Sequence, residues 1–178
     1  REEEVLRECE QHLLKMLENI QLIAVTLDIQ GNIIFCNDFL LGLTGWQRDE
    51  ILGTNWFDTF VPPEAGIKQM FTERVTQGLL PLLFENEILT RQGERRLVSW
   101  SNTYLRDSDG NILGMNRIGT DITEHKRAEE ALKREKEFSD KIINSSLDGI
   151  LAFDRDCRYI VWNPGMERII GISKEGML

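Results

Sequence analysis

The chain is poor in the side chains that most metal and redox chemistry requires. Its two histidines, His12 and His125, lie in highly charged segments, and its three cysteines, Cys9, Cys36 and Cys157, are scattered with no CxxC spacing. An odd, dispersed set of thiols argues against a disulfide framework and against a thiolate zinc site. Positive charge is also in deficit: 21 Lys and Arg against 30 Asp and Glu give a net charge of −9 and a pI near 4.8. A basic nucleic-acid surface is therefore a poor reading. No apolar run approaches the ~18 residues of a membrane span, and Arg1 to Glu4 have no apolar signal core behind them. A cytoplasmic chain without membrane insertion is the expectation. Gly-x-Ser-x-Gly, His-Glu-x-x-His and glycine-rich phosphate loops are missing too, so no enzymatic activity is expected of this stretch itself.

What is present is ordinary globular material, 41% hydrophobic and 29% charged, and it carries a repeat. At an offset of 126 residues, Asp28 meets Asp154, Ile34 meets Ile160, Asn37 meets Asn163 and Gly45 meets Gly171, with Leu6 on Leu132 and Lys15 on Lys141 upstream. A period that long exceeds any solenoid unit, so each copy should be a helix followed by a whole domain. The second copy stops at the equivalent of Leu52, and the chain reads as a piece of a tandem array. On that reading residues 145–178 are ordered only by borrowing packing from the first domain, a second chain or a swapped partner.

Along the first unit, Leu6, Cys9, Leu13, Met16 and Ile20 step by three and four, which predicts an amphipathic or coiled-coil helix over 1–20. Ile23, Val25 and Leu27 alternate with Ala24, Thr26 and Asp28, and Gln30-Gly31-Asn32 turns the chain into Ile33 to Cys36, a hairpin. Short helices are expected over 38–53 and a longer one from about Glu64 to Gln77. Three strands then follow, Leu82 to Thr90, Arg95 to Leu105 and Ile112 to Ile122, joined by turns at Gln92-Gly93 and Asp107 to Asn111. Asp107-Ser108-Asp109-Gly110 has its glycine two positions early for a calcium loop and is read as a hairpin turn. Asn144-Ser145-Ser146 fits a glycosylation sequon, without meaning for a cytoplasmic chain. Asp121 and Thr123 are candidate caps of a charged helix over 124–144, whose acidic residues Glu129, Glu130 and Glu135, like Glu2, Glu3 and Glu4, are simplest as helix surface. The fold class is α+β: five antiparallel strands with helices between the second and third.

The ordered strings Cys36-Asn37, Leu43-Thr44-Gly45-Trp46, Asp49-Glu50-Ile51-Leu52-Gly53, Asp107-x-Asp109-Gly110 and Asp121-Ile122-Thr123-Glu124 resemble the PAS family of sensory domains with its C-terminal PAC-type segment. The resemblance implies an N-terminal amphipathic helix over 1–20, a PAS domain over 21–123, a linker or signalling helix over 124–144, and the truncated start of a second PAS domain over 145–178. Tandem copies of this kind belong to multidomain sensors such as sensor histidine kinases in phosphorelays (two-component systems) and diguanylate cyclases. The implied partners are an output kinase or cyclase domain and a second copy, as a homodimer through the flanking helices or the outer sheet face. Asp121 and Thr123 become the signal junction.

By the same resemblance the sheet and short helices enclose a cavity whose candidate lining is Val25, Leu27, Trp56, Phe60, Met70, Asn86, Ile88, Val98, Trp100, Asn102, Met115 and Arg117. Tyr104 and Gly119 also face inward, while Leu97, Ser99, Ser101, Thr103 and Leu105 face out. Asn86, Asn102 and Arg117 are polar groups aimed at an apolar interior. They either bind a small polar or anionic ligand or satisfy one another. Photoactive flavin-binding relatives place a cysteine after Gly-x-Asn; here Gly53-Thr54-Asn55 precedes Trp56, which removes that adduct chemistry. The long helix offers no histidine to haem, leaving only Met70 or Cys36 as conceivable ligands. No resident cofactor is expected, and a side-chain-filled core with Trp56, Phe57 and Phe60 as packing residues is the simplest reading.

Overall fold

The computed structural model describes Lys15 and residues 21–176. The helix expected over 1–20 lies outside the described residues except for Lys15. The chain divides into two compact units, Arg1–Glu124 and His125–Leu178.

In the first unit, β1 (Ile23–Asp28) and β2 (Ile33–Cys36) form the expected hairpin. Its turn is built by one carboxylate: Asp28 Oδ1 accepts from the backbone N–H groups of Gln30 and Asn32, each at 2.8 Å, and Oδ2 accepts from the Asn32 amide at 2.9 Å. This is the Asx geometry that makes aspartate a turn residue. Gly31 sits at φ +84°, and a Cβ there would stand 2.7 Å from the Phe57 ring, so backbone conformation and packing both call for glycine.

Three short helices follow, α1 (Asp38–Thr44), α2 (Arg48–Ile51) and α3 (Trp56–Phe60). The fully buried Asn37 both caps α1 and ties it to the sheet. Its Oδ1 accepts from Leu40 at 3.3 Å and from Ala24 at 3.0 Å, while its Nδ2 donates to the Leu22 carbonyl at 2.8 Å. The helix expected from Glu64 to Gln77 is shorter. Pro63 opens a single 3-10 turn, Pro63–Ala65, closed by Gly66, and α4 occupies only Ile67–Arg74. Beyond it, Gln77 and Gly78 bond three residues back to Arg74 and Val75, which tightens the chain out of α-helix.

β3 (Leu83–Leu89), β4 (Arg95–Arg106) and β5 (Ile112–Asp121) complete an antiparallel five-stranded sheet of order β2-β1-β5-β4-β3. β5 thus lies centrally, between β1 and β4. The Asp107 turn repeats the Asp28 device, with Oδ1 accepting from the backbone of Asp109 and Asn111. The core fills the space between sheet and helices. Trp56 stacks on Phe60 at 4.4 Å and meets Trp100 edge-on at 5.5 Å, all three fully buried.

The helix α5 spans Thr123–Ser145, one residue longer at each end than expected. Thr123 is its first residue and does not cap it in the expected way. Asp121 Oδ1 accepts from the Thr123 N–H at 2.9 Å and from its hydroxyl at 2.5 Å, and the hydroxyl in turn accepts from the N–H of Leu97 on β4 at 2.8 Å.

The second unit reproduces the opening of the first in its own internal geometry. β6 (Leu151–Phe153) and β7 (Tyr159–Trp162) pair antiparallel, with a register shift after Ala152 where the first hairpin has one after Thr26. Asn163 caps α6 (Pro164–Ile170), accepting from Met166 and Ile150 and donating to the carbonyls of Ile143 and Asp148. Where the first unit has Gly31, this one holds Cys157 at φ +61°.

Candidate functional site

From Met115 onward β5 alternates, and its inward set is Met115, Arg117 and Gly119, all buried. The ladder places Arg117 opposite Asn102 of β4 on one side and opposite Val25 of β1 on the other. A cation is thereby held in the middle of the sheet. Its Nε donates to Asn102 Oδ1 at 3.0 Å, and this is the one hydrogen bond the side chain makes among the described residues. Among the described residues no carboxylate pairs with it. Its charge lies instead over indole faces, with the guanidinium carbon 4.3 Å from the centre of Trp100 and 5.6 Å from that of Trp56, favourable to the ring quadrupoles. Burial pushes its pKa down to about 9, since desolvation disfavours the charged form.

A small cavity of about 20 Å³ opens at this arginine, room for about one water molecule. Arg117, Asn102 and Met115 form its sheet side, Phe57, Ile67, Met70 and Phe71 its helical side, and Leu80, Pro81 and Phe84 complete the wall. The Leu80-Pro81 segment is strapped over the sheet by polar groups. Leu80 N–H donates to the Tyr104 hydroxyl at 2.7 Å, and the Asn102 amide donates to the Pro81 carbonyl at 2.9 Å. Asn102 is therefore used twice, once on the strap and once on the arginine.

Of the expected lining residues, Met70, Asn102, Met115 and Arg117 border this cavity. Trp56 and Trp100 flank the guanidinium, while Val25, Leu27, Phe60, Ile88 and Val98 belong to the buried core and do not border this cavity. Asn86 is buried, with its amide on the Glu87 carbonyl, and its Oδ1 has no partner among the described residues; the same holds for the buried indole N–H groups of Trp56 and Trp100. The contribution of Leu80 and Pro81 is not visible in periodicity. The signal for it is the apolar run Leu79-Leu80-Pro81-Leu82 ahead of β3, read in sequence only as the approach to a strand.

The site offers binding groups, a cation, an amide and apolar walls. Cys36 is fully buried and does not border the cavity. Among the described residues, no cluster of three or more His, Cys, Asp or Glu side chains is placed to hold a metal ion, and no helix is long and apolar enough to cross a membrane.

Comparison with known proteins agrees with this geometry. A family model described as PAS fold matches residues 17–127, and one described as PAS domain matches residues 137–178. The PAS domain of an HTR-like protein from Haloarcula marismortui superposes with a TM-score of 0.56 at 20% identity, covering 68% of this chain and 98% of that one. The PAS domain of Bordetella pertussis BvgS gives 0.54 at 20%, covering 73% and 98%. At such identity the likeness is one of fold. Among curated proteins, a probable diguanylate cyclase, DgcE of Escherichia coli K12, is 24% identical over 123 residues, 69% of this chain and 11% of the relative. Sporulation kinase C of Bacillus subtilis 168 is 24% identical over 121 residues, 66% of this chain and 27% of the relative. The chain therefore spans about a tenth and about a quarter of these relatives. The match over residues 17–127 covers more than half of the chain, and its fold superposes on solved PAS domains: the chain belongs to the PAS fold family.

Proposed function

We propose that this chain is a sensory and dimerisation module of a cytoplasmic multidomain sensor and carries no catalytic activity of its own. It relays a change in core packing through α5 to an output domain. The domain limits on this reading are 21–123 for the PAS domain and 124–144 for the signalling helix, with a second PAS domain starting at 145. The observation that carries it is the junction. The first residue of α5 is hydrogen-bonded into β4 through Leu97 and held by the last residue of β5 through Asp121, while Arg96 of β4 stands 3.5 Å from the same carboxylate. A displacement of β4 against β5 must move the helix start. Leu132, Phe138 and Ile142 lie exposed along α5 at 69%, 65% and 52%, which suits pairing with the same helix of a second copy.

The relatives favour a kinase working in a phosphorelay, as a sensor histidine kinase does, or a diguanylate cyclase as the parent. The test is Asp121→Ala in a complete parent protein, with autophosphorylation and cyclic-dinucleotide synthesis as readouts. The expected outcome is an output that no longer responds to the signal while the domain stays folded. Unchanged output together with unchanged amide exchange at the start of α5 would sink the junction. A second reading, a small-molecule receptor in which Asn86, Trp100, Asn102 and Arg117 are contacts, is favoured by the unpaired buried arginine. The absorption spectrum and native mass of the freshly purified chain would show a retained flavin, haem or other ligand.

A further inference from the structure

We propose that Asn163 is the coupling through which the second unit takes up motion of α5: its side-chain amide clamps the last turn of the helix to the starts of β6 and α6, so that a rotation or shift of the helix enters that hairpin. The inference rests on reading α5 as a signalling helix and names the receiving residue at its far end.

Every side chain of α5 from Arg127 to Ile142 is exposed, and the next, Ile143, is partly covered. A helix without lateral contacts passes motion on only through its ends. At this end the last carbonyls have no partner inside the helix, and the chain runs on through residues 146–149, which are neither helix nor strand. Such a link by itself would let the helix swivel. Asn163 closes it. Its Nδ2 donates to the Ile143 carbonyl at 2.9 Å and to the Asp148 carbonyl at 3.0 Å, while its Oδ1 accepts from the N–H of Ile150 at 2.7 Å and of Met166 at 2.9 Å. A primary amide has two donor and two acceptor positions, and all of them are used, on the helix end, the link, the entry to β6 and the first turn of α6. The residue is 0% exposed, so none of these bonds is shared with solvent.

Capping α6 requires only the oxygen. The two donors aimed at Ile143 and Asp148 are surplus to the cap, and they are the part that grips the helix. Packing holds the same joint. A Cβ at Gly165 would overlap the Asp148 carbonyl and one at Gly149 would overlap the Met166 sulfur, so both glycines let the link lie directly on α6. Arg168 of α6 donates to the Ser146 carbonyl at 3.3 Å, and the Ser146 N–H returns to the Ile142 carbonyl at 3.1 Å. In the first unit Asn37 bonds Ala24, Leu40 and Leu22, the counterparts of Ile150, Met166 and Asp148, so the joint belongs to the repeat.

The test separates the grip from the cap with Asn163→Asp in the 178-residue chain. The carboxylate has the same shape and caps a helix as well, but it has no donors for the Ile143 and Asp148 carbonyls. Nitroxides are placed on the exposed native Cys157 and on Glu137→Cys of α5, with Cys9→Ser and with Cys36 buried. The labelled chain is diluted into unlabelled chain, the distance is measured by pulsed electron resonance, and amide exchange is followed by mass spectrometry. The expected result is one narrow distance distribution in the parent sequence and a broad one in Asn163→Asp, with exchange over 142–149 faster by roughly tenfold to a hundredfold and that of α6 unchanged. Asn163→Ser, whose uncharged hydroxyl still caps α6 but is too short to reach Ile143, should behave alike and serves if the added charge unfolds the unit. A broad distribution in the parent sequence overturns the clamp, as does a narrow one kept in the variant. Exchange that quickens in α6 as much as over 142–149 also overturns it, because Asn163 would then be a cap alone. The output assay on Asp121→Ala reads the other end of the helix, so failure of the clamp and failure of the signalling reading are separate results.

Discussion

Replacing Arg117 by methionine removes a buried side chain from the centre of the sheet and should nevertheless leave the fold about as stable as before. The lowering of its pKa by burial to about 9 corresponds to about 5 kcal/mol of unfavourable desolvation at ~1.4 kcal/mol per unit. Against that stand the two indole contacts, about 1–2 kcal/mol each when desolvated, and about 1–3 kcal/mol for leaving Asn102 Oδ1 without its donor. The opposing sums nearly cancel, so the variant should lie within about 2 kcal/mol of wild type in urea denaturation near neutral pH. Breaking an ordinary buried ion pair costs ~3–5 kcal/mol, and a loss of that size would refute the claim that the arginine is uncompensated.

The pH dependence is a second arm with a definite sign. Between the folded pKa near 9 and the higher ordinary value of the unfolded chain, the unfolded chain binds the extra proton. The arginine's contribution to stability therefore rises with pH in that window. Wild type should gain on Arg117→Met by ~1.4 kcal/mol per pH unit above about pH 9. A difference that stays flat there would mean that the guanidinium is solvated or matched by an anion, and the desolvation argument would fail.

Gly119→Ala should destabilise the domain by about 1–3 kcal/mol, seen as a lower melting temperature, because its Cβ would fall 2.6 Å from the Trp100 ring and 2.7 Å from Val98. Asn37→Ala should cost about 3 kcal/mol in urea denaturation, since three hydrogen bonds and a helix cap are lost at a fully buried site; a cost under about 1 kcal/mol would show that water replaces them. Cys157→Gly should raise the resistance of the second hairpin to proteolysis, because φ +61° costs a side chain about 1–2 kcal/mol that glycine avoids. Unchanged or faster cleavage there would count against that strain.

The parts of the fold legible in the sequence are those made by local rules. The family resemblance implied that Val98, Trp100 and Asn102 of β4 and Met115, Arg117 and Gly119 of β5 face inward, and all six are buried. The turns at Gln30-Gly31-Asn32 and Asp107 to Asn111 were legible, and the structure adds that Asp28 and Asp107 build them by bonding backbone N–H groups two and four residues on. The less legible parts depend on distant partners. The strap that closes the cavity is set by Tyr104 and Asn102 reaching back to Leu80 and Pro81, across more than twenty residues. Thr123 looked like a helix cap, but its hydroxyl accepts from a strand 26 residues earlier. The apolar stripe Ile67, Met70, Phe71 and Val75 suggested a longer α4, because periodicity does not register where Pro63 and Gly66 force a tighter turn.

The candidate site and the proposed junction share two strands, and this gives the signalling reading a mechanical form. In the β4–β5 ladder Asn102 faces Arg117, Trp100 faces Gly119 and Val98 faces Asp121. From arginine to junction is four residues, about 13 Å of strand. On the proposed reading the middle rung is the one that transmits. Gly119 has no side chain, and the Trp100 ring fills the space where one would stand, so that ring is packed against β5 while its face carries the guanidinium. On the signalling reading, any change in core packing that displaced Arg117 would shift the ring it rests on. The ring has no slack toward Gly119, and the strain would pass along the ladder to Asp121 and Thr123. The same reasoning explains why a substitution at Gly119 should damage response and stability together, whereas Arg117→Met should silence the response with little change in stability.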